Sequence, residues 1–301
     1  MRNPFQKQSE IITMQHSQGF FKSVGGLRLC YQSWHPARNT RAVLVLLHGL
    51  GSHSGRFNNI VQYLVPAGYA IYALDLRGHG HSSGQRGHIN SWSEFRTDLD
   101  LFFRQIQSTT NLPCFVLGHS IVGMIALEYA LHFPAAVQGL ITIAPAFGLN
   151  GISAKKILLG RILSRILPRF TLKVGIDLEA ISRDRTVLNA CAQDPLVHSC
   201  GSARLGTELF ATIARVEAQA AQLQVPILIL HGGDDQVAHP EGSRAFFEQL
   251  SVLDKERREY PGSRHAPHND INYEELLIDL EHWLNCRTAK SLTSYSTQNT
   301  R

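Results

Sequence analysis

Five continuous apolar runs, each stopping at a glycine or a turn, constrain this chain more than any other feature. They are AVLVLLHG (residues 42–49), YAIYALDLRG (69–78), PCFVLGHS (113–120), VQGLITIAP (137–145) and VPILILHGGDD (225–235). A run without polar alternation is buried on both faces, the situation of a central strand in a mostly parallel sheet whose crossover helices cover both sides. Helical spacing fills the gaps at 57–67, 95–106 and 122–132. The alternation predicts an α/β fold. Upstream, FFKSVGGLRLCYQSWHP alternates apolar and polar residues around Gly25 and Gly26, the pattern of a β-hairpin.

Between residues 146 and 223 the alternation breaks into several helical stretches with no clear buried strand, and it resumes at 225. That segment is therefore an insertion between strands, and helical insertions over the carboxyl edge of a sheet act as lids. The expected organisation is a polar N-terminal segment (1–16), a core built from 17–145 and 224–287, a helical cap (146–223), and a polar, aperiodic tail (288–301) expected to be disordered. No internal repeat is found.

With 301 residues and 44% hydrophobic side chains, the chain can bury a large core, which excludes disordered and fibrous classes. No apolar run approaches the roughly 20 residues needed to span a bilayer. The first residues lack the apolar region of a secretory signal, so a cytoplasmic protein is expected. Five scattered cysteines with no C-x-x-C pair argue against a disulfide framework or a zinc site. The net charge is +5, yet residues 151–173 alone hold Lys155, Lys156, Arg161, Arg165, Arg169 and Lys173 with no acidic residue. The rest of the chain is close to neutral and is not a nucleic-acid surface. Within the basic segment, Ile152, Leu159, Ile162, Leu163 and Ile166 recur at near-helical spacing, with Lys156, Arg161 and Arg165 on another side. Two readings stand: a peripheral contact with a membrane or micelle, or the inner face of a lid with solvated cations.

In VLGHSIVG a buried strand ends at Gly118 and helical spacing begins just after Ser120. A serine on such a turn stands above the sheet edge, where the helix start aims N–H groups at developing negative charge; that suits a nucleophile. Downstream, Asp235 follows the last apolar run and His265 follows a short strand ending at Tyr260. The order Ser, Asp, His, each after a strand, is what an α/β-hydrolase requires. The oxyanion hole would use the N–H of Ile121 and that of Leu50, which lies between two glycines after the first central run.

HGLGSHSGRF, LDLRGHGHSSGQRGHI, GHSIVG, ISRDRTVLNACAQDPLVHSCGSARLG, LILHGGDDQVAHPEGSRAFFEQL and YPGSRHAPHND, in this order, resemble the monoacylglycerol lipase and lysophospholipase branch of the α/β-hydrolases, which includes proteins described as serine aminopeptidases. The resemblance covers roughly residues 20–286. It implies Ser120 as nucleophile, Asp235 as acid, His265 as base and the N–H groups of Leu50 and Ile121 as oxyanion hole. One position departs from the family pattern: glycine is expected two residues after the serine, and Val122 stands there, with Gly123 next. A β-branched side chain at a close helix–strand contact is expected to shift the elbow.

Among rival residues, Asp234 is read as a solvated turn residue and His268 as a loop residue near the site rather than the base. His79 and His81 have no carboxylate or cysteine at ligand spacing and are read as structural, and Cys191 and Cys200 as buried small residues. The expected activity is hydrolysis of a single-chain lipid ester, a monoacylglycerol or lysophospholipid, through an acyl-enzyme and without cofactor or metal. Alternatives are an aminopeptidase or small-ester hydrolase of the same fold, marked by an acidic cap residue such as Glu179, Glu208 or Glu217, or an impaired hydrolase that acts as a binding protein.

Overall fold

The computed structural model describes residues 14–148, 154–173 and 177–298. The hairpin around Gly25 and Gly26 consists of β1 (Gln15–Lys22) and β2 (Arg28–His35), paired antiparallel from Gln15 opposite His35 to Lys22 opposite Arg28. The five apolar runs become β3 (Ala42–Leu47), β4 (Tyr69–Leu74), β5 (Cys114–His119), β6 (Gly139–Ile143) and, after the insertion with its short β7 (Thr171–Lys173) and β8 (Cys200–Ser202), β9 (Ile227–Gly232). The sheet ends with β10 (Lys255–Tyr260), in the order β1-β2-β4-β3-β5-β6-β9-β10. From β4 to β10 every pairing is parallel. This is the mostly parallel sheet of an α/β-hydrolase.

The unbroken hydrophobicity of the central strands follows from their two covered faces. From β3, Leu44 and Leu46 belong to one buried cluster with Ile60 and Leu64 of α1 (Asn58–Leu64) and Leu276, Leu280 and Trp283 of α8 (Tyr273–Gln298). Val43, Val45 and Leu47 face the opposite layer. That layer contains Phe102 of α2 (Ser93–Gln107), Met124 of α3 (Ile121–His132) and Phe246 of α7 (Pro240–Gln249). Full burial of each such side chain is worth roughly 1.5–3 kcal/mol, so the two-sided pattern determines which strands take the centre.

The N-terminal boundary is crossed by structure. Residues 1–13 lie outside the described residues, and β1 takes up Gln15 and His16, the latter stacked on Trp34 at 5.0 Å. The tail expected to be disordered is helical as far as Gln298, continuing α8. Arg287 pairs with Asp254 and Glu256 and lies 4.0 Å over the Trp283 ring, while Thr288 Oγ1 donates to the Leu284 carbonyl at 2.8 Å. A helix anchored there extends without a second nucleation cost, which composition alone does not register.

The inserted segment carries α4 (Ala154–Ile166), α5 (Arg185–Gln193) and α6 (Ala203–Ala218); α4 packs on α6, which adds Leu205 and Leu209 to the core. It sits on the loops at the carboxyl ends of the strands. The His198 N–H donates to Gly51 O (2.9 Å), Ser202 N–H to Gly87 O (2.8 Å) and Ala266 N–H to Ile181 O (2.8 Å). Away from the core, α4 leaves Leu158, Leu159, Ile162 and Ile166 between 46% and 70% exposed, with Leu167, Phe170 and Leu172 exposed just beyond. Lys155, Arg161, Arg165 and Arg169 are exposed on the same segment; Ile152 lies outside the described residues. No helix among the described residues is long and apolar enough to cross a membrane. Cys191 and Cys200, expected to be buried, are only half-buried, and both are free.

Candidate active site

Ser120 occupies the turn between β5 and α3 with φ 61° and ψ −132°, a conformation that L residues rarely adopt and that lifts Oγ clear of the strand. Two backbone bonds hold it there: the Ser120 N–H donates to Ile143 O and the Gly123 N–H to Ser120 O, both at 2.9 Å. The close helix–strand approach falls on Gly118 and Gly123. A Cβ at Gly118 would lie 2.7 Å from Val122 O and 2.9 Å from Gly123 Cα, and one at Gly123 would lie 3.2 Å from Pro145 Cβ. Val122, expected to crowd this contact, is 1% exposed and packs into the main hydrophobic core instead. The tight helix–strand contact uses the glycine one residue later, and the valine side chain stays out of it.

The three residues predicted from the sequence come together. Ser120 Oγ donates to His265 Nε2 at 2.8 Å, and His265 Nδ1–H donates to Asp235 Oδ2 at 2.8 Å. Asp235 Oδ1 accepts the N–H groups of Val237 (2.8 Å) and Ala238 (3.0 Å). Oδ2 also faces His231 Nε2 at 3.1 Å. Burial by itself raises the Asp235 carboxyl pKa, but the hydrogen bonds from His231, His265 and Ala238 outweigh it and hold the group well below the usual carboxylate range. The acid is a fully hydrogen-bonded anion at neutral pH. The arrangement can take a proton from a serine hydroxyl and stabilise the imidazolium that results.

Leu50 lies in the turn after β3, and Ile121 opens α3; among the described residues neither N–H donates to a protein acceptor. The Leu50 loop is pinned on both sides. His48 Nδ1–H and the Ser52 N–H donate to Gly49 O (2.8 and 3.1 Å), and His48 Nε2 accepts the Leu76 N–H at 3.1 Å. From above, the His198 N–H holds Gly51 O, and His53 Nε2 meets Asp194 Oδ2 at 2.7 Å. The loop of His265 is braced similarly: buried Asp270 accepts from the Arg264 N–H (2.8 Å) and from Arg183 Nε of the inserted segment (3.0 Å).

Of the rival residues, Asp234 is exposed, as expected of a turn residue. His268 is buried against Phe57 and His119 (ring centroids 5.7 and 4.8 Å), and burial followed by repulsion from His265 and Arg56 pushes its pKa down to about 3. His79 is buried between the rings of His48 and His198, and His81 is exposed. His231 was missed by sequence reasoning, although a signal exists: a histidine at the end of an otherwise apolar strand, four residues before the acid. The contacts of Asp194, His198 and Arg183 join residues far apart in the chain, and no local pattern announces them.

Comparison with known proteins agrees with this geometry. A curated monoacylglycerol lipase of Mycolicibacterium smegmatis is 32% identical over 277 residues, 91% of this chain and 99% of that one. A human monoglyceride lipase is 30% identical over 275 residues, covering 89% and 90%. The crystal structure of a monoacylglycerol lipase from Paleococcus ferrophilus superposes with a TM-score of 0.78 at 30% identity, covering 92% of this chain and all of that one. The sequence also matches the family described as serine aminopeptidase, S33, over residues 38–272. A match of that extent, on a sheet of this topology, places the chain in the serine aminopeptidase S33 family of α/β-hydrolases.

Proposed function

We propose that the protein is a serine hydrolase of single-chain lipid esters, a monoacylglycerol or lysophospholipid, working through an acyl-enzyme. Ser120 Oγ attacks the ester carbonyl as His265 Nε2 takes its proton, and Asp235 stabilises the imidazolium. The N–H groups of Leu50 and Ile121 receive the oxyanion. His265 protonates the departing alcohol, then activates the water that releases the acid. The observation that carries this reading is the unbroken chain of 2.8 Å hydrogen bonds from Ser120 through His265 to Asp235. The named lipases above favour the lipid ester, and the intact elbow speaks against an impaired enzyme.

An aminopeptidase needs a carboxylate to receive the substrate's amino group, and five of the six acids of the segment read as a cap (146–223) already have partners. Asp177 and Asp184 cap helices, Asp194 holds His53, Glu179 pairs with Arg185 and Arg264, and Glu208 accepts the Trp92 N–H; Glu217 is exposed on α6. Ester substrates are therefore preferred to aminoacyl amides. The exposed apolar face of α4 with its flanking cations fits a peripheral contact with a lipid surface carrying anionic headgroups.

The test is a panel of monoacylglycerols, lysophospholipids, short p-nitrophenyl esters and aminoacyl amides, assayed on wild type, S120A and H265A alongside fluorophosphonate labelling. Long-chain esters should be the best substrates, and both variants should lose activity by at least about a thousandfold. Activity surviving in S120A, or a preference for aminoacyl amides, overturns the reading. Sedimentation with vesicles of rising anionic lipid content should show weaker binding for an Arg161, Arg165, Arg169 triple glutamate variant; equal binding removes the lipid contact.

A further inference from the structure

We propose that His231 is a positioning residue for the acid: it fixes the Asp235 oxygen that receives His265 and thereby sets the pH range over which Ser120 is activated. The proposal rests on the triad reading above. His231 is on β9, fully buried, with Nε2 facing two acceptors, Asp235 Oδ2 at 3.1 Å and the Ala238 carbonyl at 2.8 Å. Both are acceptors, so Nε2 carries the proton and shares it between them. Nδ1 is buried with no hydrogen-bond partner among the described residues. An apolar side chain would fill this strand position without an unsatisfied nitrogen, so what the ring contributes lies at Nε2.

Four donors surround the carboxylate. The N–H groups of Val237 and Ala238 grip Oδ1, and the rings of His265 and His231 share Oδ2. With His231 in place, the carboxylate plane is held at both oxygens and Oδ2 stays aimed at His265 Nδ1. Without it, Oδ2 turns more freely and concentrates its charge on His265 alone, which favours the imidazolium and shifts the acid limb of the activity profile upward. The other titratable rings near this unit are His119, whose centroid is 5.0 Å from that of His265, and His268, 4.8 Å from His119, with Arg56 acting on His268. Burial, the largest cause, lowers the pKa of both His119 and His268, so neither takes up a proton over the range of the limb.

The experiment measures kcat and KM for a soluble ester from pH 5 to 9 in wild type, H231M, H231N and H231Q. Methionine fills the space without a donor, the asparagine amide is too short to reach Oδ2, and the glutamine amide nitrogen reaches about where Nε2 sits. H231M and H231N should lose kcat on the order of tenfold with KM within about twofold, and their acid limb should move up by roughly half a pH unit or more. H231Q should return both toward wild type. If H231M does not fold, the asparagine and glutamine pair decides. An unmoved limb in the variants lacking the donor, or equal impairment of glutamine and asparagine with the wild-type limb, overturns the proposal and leaves a packing role. S120A run in parallel separates the two readings: activity there sinks the triad, whereas serine-dependent activity with an unmoved limb sinks only the role of His231.

Discussion

Replacing Val122 by glycine restores the glycine two residues after the serine that the motif leads one to expect, and the structure sets its effect on stability against its effect on rate. Val122 is 1% exposed in the main core. Removing its three side-chain carbons forfeits about 2.5 kcal/mol at roughly 0.8 kcal/mol per buried carbon, before any cavity term. Glycine is about 1 kcal/mol worse than alanine in a helix and valine already carries part of that penalty, so the backbone adds only a few tenths of a kcal/mol. The expected cost is about 3 kcal/mol, which for a chain of 301 residues lowers Tm by roughly 5 °C. The rate should stay within about twofold, because Ser120 is held by its bonds to Ile143 and Gly123 and by the close approach at Gly118, none of which involves the valine side chain. Thermal melts paired with kcat and KM on one soluble ester test both halves. A severalfold rise in kcat at unchanged KM, with Tm unmoved, would show that valine strains the elbow and would refute the packing argument.

Gly51→Ala should cost activity as well as stability: its φ is +74° and the new Cβ would fall 1.9 Å from the His198 carbonyl, so either the Leu50 loop or the segment above it must move. A kcat loss on the order of a hundredfold in steady-state assays is expected, and wild-type kcat would mean that the loop does not depend on this contact. Stability should fall as pH drops from 6.5 toward 4. Burial lowers the pKa of His48 to about 4 and that of His268 to about 3, below their unfolded value of about 6.5, so in this window the unfolded chain binds protons that the folded one does not. Each contributes a slope of up to about 1.4 kcal/mol per pH unit. The depressed Asp235 has the same sign lower down: its contribution is present above about pH 4 and is lost as pH falls further. Urea midpoints from pH 7 to 4 that stay flat would contradict the buried, neutral state of these rings.

The sheet was legible in the sequence because every central strand is buried on both faces, and burial on both faces writes itself as an unbroken apolar run. The order of Ser120, Asp235 and His265 was legible for a related reason: each follows a strand whose end could be read, and strand ends in a parallel sheet share one edge. The direction of Val122 was decided elsewhere, by Gly118, Gly123 and Pro145, which meet only once helix and strands have packed. The grip of His231 on Asp235 depends on the turn after β9 folding back on itself. Asp194 and His198 reach the Leu50 loop across more than a hundred residues, and Arg183 reaches Asp270 across 87. Likewise, the helix beyond residue 287 follows from an anchor of Arg287 on Asp254 and Glu256 rather than from its polar composition. Periodicity records which surfaces are covered, since covering acts on every residue of an element. A directed contact between single side chains leaves no periodic trace, and only the tertiary structure decides it.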